Sequence, residues 1–357
     1  MYTIISCKSK LIVYFCLVKR VGSYILFLAF AAILLWFSFR EVKWSDFMEG
    51  LKTANYYWIA ASMVFGALSF WIRAMRWRLL IKGAGYQVSK KGVFDAVNIA
   101  YLTNFAIPRA GEVARCGALT KTDGVPFDTS LGTVLLERVI DVFCLLLVTV
   151  LVVVLQWNVF GVFMAQQLWT PFTEMFDGKT IYLIVIFLAL IALAILMIVY
   201  WKRLAKMVVF KKIDHFASGI YRGLKSGLTM RQKTPFVGYT LLLWLLYWAM
   251  CRATMLAFPA VAQLNSVDAI FLMAVGSLGW VVPVQGGIGA YHFIVSLALV
   301  SVYGISQTQG IVFATISHES QALTMIAFGL FSMIRSGQSL FTRRNLNQVG
   351  KDGEKVV

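Results

Sequence analysis

Charged side chains are scarce in this chain: only 14% of its residues, against about a quarter in soluble domains. Acidic residues are scarcer still, 16 against 33 Lys and Arg, and 60% of the sequence is hydrophobic with a mean hydropathy of +0.77. Such a chain cannot cover itself with polar surface, so a water-soluble globular fold is excluded and an integral membrane protein is expected. Its three histidines are far apart in sequence, which leaves no metal-ligand spacing. The five cysteines (Cys7, Cys16, Cys116, Cys144, Cys251) are scattered, odd in number and without CxxC spacing. They point to apolar packing, and neither a disulfide framework nor a metal or other cofactor is expected. The phosphate-binding pattern GxxxxGK[ST] does not occur, so nothing supports ATP-driven pumping.

What is present is a series of long apolar runs, several near the roughly 20 residues a helix needs to cross the hydrocarbon core. They predict an all-α polytopic membrane protein with about six full transmembrane helices, near 21–39, 56–81, 128–155, 180–200, 236–258 and 310–335. The run at 21–39 follows a basic flank but ends in no small-x-small cleavage site, so it reads as a retained helix and not a signal peptide. Two further segments, 93–119 and 268–303, are apolar on both sides of a proline and glycine break, and read as broken re-entrant hairpins.

The net charge of +17 gains meaning from its placement. Most Lys and Arg fall in the tail 1–20, the 82–92 region, the basic loop 201–235 and the tail 336–357, while Arg40, Lys43, Lys52 and Lys179 occupy the opposite loops. The positive-inside rule then predicts both termini in the cytoplasm, with 156–179 as an external loop. The basic excess reflects topology and attraction to an anionic lipid surface, and no nucleic-acid partner is expected. Within 201–235, nine Lys and Arg stand against one Asp, with Phe216, Ile220, Leu224 and Leu228 at i,i+4 spacing. That pattern suits an amphipathic helix lying on the leaflet.

The two broken segments resemble each other. Pro108 and Pro283 are 175 residues apart, and Asp95 and Asp268 precede them by 13 and 15 residues. Arg73 and Arg252 repeat at an offset of 179, and Glu137 and Glu319, each in the long run after its break, at 182. The expected division is a first membrane repeat at 21–155 and a second at 180–335, each of four elements and inserted in opposite senses. An inverted repeat of this kind places its site where broken helices meet near the midplane.

Charges in the apolar segments are the candidates for that site, since each costs about 2.5–3.5 kcal/mol at the bilayer centre. Arg109, Glu112 and Arg115 are spaced by three along one stripe, and Glu137, Arg138 and Asp141 fall within a turn and a half. One reading is a water-accessible cavity that attracts an anionic head group, with Glu112, Glu137, Asp141, His318 and Glu319 able to carry protons. The other is a buried ion-pair network that fixes helix packing. Gly286, Gly287 and Gly289, and Gly111 in the first half, could bare backbone amides at a helix start for an anion or allow close helix packing; His292 is a polar neighbour able to donate to phosphate. Arg73 and Arg252, near helix ends, are expected to snorkel to the interface.

The stretches "NFAIPRAGEVARCGAL" (104–119), "TVLLERVIDV" (133–142) and "VPVQGGIGAYH" (282–292) resemble, in order and spacing, the flippase-like membrane domain family, also called the lysylphosphatidylglycerol synthase transmembrane region. The resemblance covers about 20–335. It implies a membrane domain that moves aminoacylated phosphatidylglycerol between leaflets, which in bifunctional members is joined to a soluble synthase domain. With about 22 residues after its last span, this chain would be a stand-alone translocase with no aminoacyl-transferase domain, and so a transporter is expected rather than an enzyme. The resemblance carries the anion-facing role onto Arg109, Glu112, Arg115, Glu137 and Arg138, and the glycine role onto Gly286, Gly287 and Gly289. His292, and "SHESQ" at 317–321, depart from the family pattern at a carboxylate and an arginine-bearing stretch respectively. The expected function is translocation of an anionic or aminoacylated phospholipid, or another lipid phosphate, across the bacterial cytoplasmic (inner) membrane. The alternatives are a membrane-embedded transferase using Glu137 or Asp141 as base and Arg115 as phosphate clamp, and a non-transporting partner of a lipid-synthesis enzyme.

Overall fold

A computed structural model of the chain describes residues 28–40, 42–157, 218–227 and 230–337, and every regular element among them is helical. In chain order these are α1 (Leu28–Phe39), α2 (Trp44–Thr53), α3 (Tyr56–Gly83), α4 (Lys90–Ala106), α5 (Gly111–Asp123) and α6 (Phe127–Leu155). Then come α7 (218–227), α8 (Lys233–Leu256), α9 (Pro259–Ala262), α10 (Ser266–Val281), α11 (Ala290–Tyr303) and α12 (Gln307–Arg335). The span expected at 180–200, most of the 201–235 loop, the 156–179 loop and the two tails lie outside the described residues, apart from their edges.

Among the described residues, four stretches are long and apolar enough to cross a membrane: Tyr56–Gly83, Phe127–Leu155, Lys233–Leu256 and Gln285–Tyr303. The first three coincide with expected spans. The last was expected as one arm of a hairpin, and it reaches 19 residues only by including the 3-10 turn Gln285–Gly287. α12 is 29 residues long and fills the expected 310–335 span, but its polar run around His318, Glu319 and Gln321 keeps it from being apolar throughout.

Local chemistry sets the boundaries. Asn55, Ser89 and Ser306 accept a backbone N–H at the starts of α3, α4 and α12. Asn265 and Asp268 form a reciprocal capping box at the start of α10. α4 stops at Ala106 because Ile107, before Pro108, is held extended, and Val282 before Pro283 ends α10 in the same way. Each break folds back on itself: α4 packs on α5, and α10 on α11. Gly111 permits the first close approach, since a Cβ there would collide with the Ala100 carbonyl.

Two large apolar cores result, beside a small cluster of Ala31, Val284 and Ala290. One gathers Phe70, Trp77, Leu80, Val97 and Leu119 around α3 to α5; the other gathers Met255, Phe271, Val295, Leu299 and Phe313 around α8 to α12. They join where α3 crosses α8. Ser62 Oγ donates there to the Met250 carbonyl (3.0 Å) and receives Gln321 Nε2 (3.1 Å). Val139, Val142, Phe143, Leu146, Leu147, Val150 and Val154 form an exposed apolar stripe along α6, which in a membrane protein is a lipid-facing surface. Among the described residues, Cys116, Cys144 and Cys251 are free thiols, the first buried and the other two partly buried.

The described part of the basic loop, α7, turns a different face inward than its apolar spacing suggests. Gly219, Gly223 and Ser226 are buried while Leu224 is exposed. A Cβ on Gly223 would press on the Thr129 carbonyl and on Gly132, and one on Gly132 would collide with the Ile220 carbonyl. Small residues four apart let the two backbones touch, as in close membrane helix pairs. Gly132→Ala and Gly223→Ala are expected to destabilise by about 1–3 kcal/mol each through overpacking. Gly117→Ala, where a Cβ meets open space, is expected to be nearly neutral. Thermal unfolding in detergent checks the order.

Candidate functional site

The polar centre of the first half is assembled from four helices. On α3, Arg73 and Arg76 are one turn apart; on α6, Glu137 and Asp141 are one turn apart; the two pairs interlock. Arg73 Nε is 2.9 Å from Glu137 Oε1 and its Nη2 2.8 Å from Asp141 Oδ2. Arg76 Nη2 bridges the same carboxylates at 3.1 and 2.6 Å. From α5, Arg115 Nη1 donates to Glu137 Oε2 at 2.9 Å, and from α8 the Tyr247 hydroxyl accepts from Arg73 Nη1 at 3.1 Å. Glu137 is fully buried and held by three guanidinium groups.

At the margin, Arg138 pairs with Glu112 (2.9 Å) and reaches Asp141 at 3.7 Å, its side chain 43% exposed. Arg115 lies 4.8 Å over the Trp77 ring, whose Nε1 donates to Thr133. Arg73, Arg76, Arg115 and Arg138 thus face three carboxylates, Glu112, Glu137 and Asp141, leaving one positive charge over. Among the described residues, Arg76 Nε and Nη1, Arg115 Nε and Nη2, and Arg138 Nε are buried with no hydrogen-bond partner.

The second break meets α12. Gly286 (φ 56°), Gly287 (φ 82°) and Gly289 (φ 81°) occupy left-handed backbone, and the Gly286 carbonyl accepts from His318 Nε2 at 2.8 Å. His318 Nδ1 is 2.9 Å from Glu319 Oε1, with the Trp280 ring stacked on its imidazole at 4.9 Å. His292 lies alongside, its ring centroid 5.0 Å from that of His318. The tips of the two breaks touch: a Cβ on Gly286 would collide with the Phe105 ring.

This geometry sorts the residues singled out by sequence into two groups. Glu112, Arg115, Glu137, Arg138 and Asp141 belong to the first centre; Gly286, His292, His318 and Glu319 meet at the second. The stripe Arg109–Glu112–Arg115 does not form, because Arg109 precedes the start of α5 as an exposed residue at φ 63°, and Glu112 turns to Arg138. Arg138 and Asp141 do not simply satisfy each other, since Asp141 is taken more closely by Arg73 and Arg76. The glycine amides are partly engaged: Gly111 N–H donates to Asn104 Oδ1 (2.7 Å) and Gly287 N–H to the Val284 carbonyl. Gly289 packs its Cα face on α1, where a Cβ would lie 2.7 Å from the Ala31 carbonyl.

Arg73 corrects the expectation of snorkelling, because Glu137 and Asp141 give it buried partners. Sequence reasoning also passed over Arg76 and Tyr247. The available signal was the i,i+3 arginine pair in one span against the i,i+4 carboxylate pair in another. Arg252 instead donates to the Leu264 carbonyl (2.6 Å).

The model of the lysylphosphatidylglycerol synthase TM region family matches residues 24–329 of the chain. The chain belongs to this family. The matched range contains both breaks and both polar centres. No curated protein and no solved structure matches the chain.

Within this family member, Glu137→Ala leaves three buried guanidinium groups short of a partner, and is expected to cost about 3–5 kcal/mol or prevent folding. Arg138→Ala, at the partly exposed pair, is expected to cost about 1 kcal/mol or less. Melting temperatures of the two purified variants check this order.

Proposed function

We propose that the chain is a lipid translocase that moves an anionic or aminoacylated phospholipid, or another lipid phosphate, between membrane leaflets. One observation carries the reading: among the described residues, a buried centre with an excess positive charge and several guanidinium N–H groups without partners. Phosphate oxygens suit such donors, because guanidinium groups bind them through paired, charge-assisted hydrogen bonds. When no lipid is bound, Glu137 and Asp141 hold the arginines; when a phosphate arrives, it shares them. The site therefore never confronts the bilayer with an unbalanced arginine cluster. Acyl chains remain in the hydrocarbon beside the apolar stripe of α6.

Repetition in the helices supports an inverted, two-half architecture. α6 and α12 are both 29 residues long at an offset of 180 (127 and 307). α4 and α10 begin 176 apart, and α5 and α11 begin 179 apart. The contacts also cross over. Asp95 on α4 binds Arg335 at the end of α12, and Asp268 on α10 accepts from Gln156 at the end of α6. Length supports re-entrant insertion of both breaks, although the second reaches spanning length when its 3-10 turn is counted: α5, with 13 residues, extends about 20 Å, and the α-helical part of α11, with 14, about 21 Å. Neither alone covers the roughly 30 Å hydrocarbon core. Rocking of the halves about the α3–α8 crossing would open the arginine centre to each leaflet in turn. The sequence carries no GxxxxGK[ST] motif, so the proposed movement is downhill or ion-coupled.

The test is leaflet exchange of fluorescent phosphatidylglycerol and its lysyl derivative in proteoliposomes. The intact chain is expected to exchange at least one of them, and Arg138→Gln and Arg115→Gln to lose most of that exchange while eluting as folded protein. A new lipid product without exchange would replace this reading with the transferase. Neither exchange nor product across a broad lipid panel would favour the partner of a lipid-synthesis enzyme.

A further inference from the structure

The second polar centre has a chemistry that anion binding does not use. We propose that His292, His318 and Glu319 form a binding site for one divalent transition-metal ion, of which zinc best fits the donors. The three side chains each bring a ligand atom within 4.8 Å of the others. Two imidazoles and a carboxylate are a donor set that zinc accepts, with bonds of about 2.0–2.2 Å and ligand atoms therefore about 3.3 Å apart in a tetrahedron. Glu319 Oε1 lies 2.9 Å from His318 Nδ1 and 3.7 Å from His292 Nε2, on either side of that value.

The protons point the same way. A carbonyl oxygen can only accept, so His318 Nε2, 2.8 Å from the Gly286 carbonyl, carries the hydrogen. In the neutral ring Nδ1 then presents a lone pair to a carboxylate oxygen, an arrangement that a shared cation makes attractive. An imidazolium on His318 would satisfy that pair alone. It would leave His292, only 2% exposed, beside a second cation, with Nδ1 buried and unpartnered and Nε2 beyond hydrogen-bonding distance of Glu319. A metal ion uses all three residues.

The surroundings leave room to complete the coordination. His292 and Glu319 line an open cavity of about 450 Å³ together with Trp36, Phe39, Trp44 and Thr315. Thr315 Oγ1, which lines the same cavity, is buried without a partner among the described residues, so a metal-bound water would find an acceptor or donor there. The helix register adds a comparison that rests on the repeat proposed above, whereas the preceding points do not. At the 180-residue offset of α6 and α12, Arg138 corresponds to His318, and at the 179-residue offset of α5 and α11, Glu112 falls one residue before His292. The first half ties these two positions with an ion pair (2.9 Å). Two neutral imidazoles cannot form an equivalent ion pair, and a metal ion would link them.

Cobalt(II) makes the test readable. The tag-free full chain in nanodiscs, stripped with chelator, is titrated with Co²⁺ and then Zn²⁺. Visible d–d absorption and metal per chain after gel filtration are measured. The expected result is one Co²⁺ per chain with bands displaced by Zn²⁺, and a loss of affinity of about tenfold or more in both His292→Ala and Glu319→Gln. The Glu319 side chain is half exposed, so Glu319→Gln preserves shape, and unchanged circular dichroism and elution verify its fold. Arg138→Gln is expected to bind metal normally, so a failed lipid-exchange assay leaves this result standing. Absence of d–d bands in the intact chain, or bands that persist equally in both variants, overturns the site.

Discussion

The burial of Glu137 is the constraint on which the first half depends. A carboxylate removed from water at the centre of a long apolar helix is tolerable only if cations come to it, and three do, two from α3 and one from α5. That requirement fixes the rotation of α3 against α6 and draws α5 in beside them through Arg115. It also brings Tyr247 of α8 into the same network, so the charge centre and the crossing of the halves are mechanically one object. Arginine suits this role better than lysine, because its planar fork can serve two carboxylates at once.

The breaks perform the complementary task. Pro108 and Pro283 end a helix each by forcing the preceding residue to be extended, and the glycines allow the chain to turn back through left-handed conformations. Their tips meet at Phe105 and Gly286, which sets the arginine centre and the histidine centre on adjoining parts of one molecule. The same interior therefore offers fixed positive charge in one half and lone-pair donors in the other.

Much of this was legible beforehand. Three spans, both breaks and the membership of Glu112, Arg115, Glu137 and Arg138 in one polar centre follow from apolar runs and from the cost of charge in hydrocarbon. Arg109 was misplaced because helical spacing was extended across a proline-induced break, where it no longer applies. Arg73 was misread because position near a helix end is no guide when a partner on another helix can reach inward. His292 and His318 were named as candidates but not as neighbours, because they are 26 residues apart in sequence, a stretch that includes the turn returning α12 to the side of α11. The inward face of α7 was hidden for a related reason: glycines carry no hydrophobic signal, yet they are what lets its backbone touch α6.

The amino-acid sequence by itself determined that the chain is helical and resides in a membrane, where it breaks and which family it resembles. Those properties follow from local composition, the absence of backbone hydrogen-bonding partners in lipid and the steric rules of proline. Only the tertiary structure decided which arginine holds which carboxylate, which guanidinium N–H groups remain over and that two histidines share one carboxylate. Ion pairing depends on distances of a few ångströms between helices that are tens of residues apart, and no periodicity along a single helix encodes them.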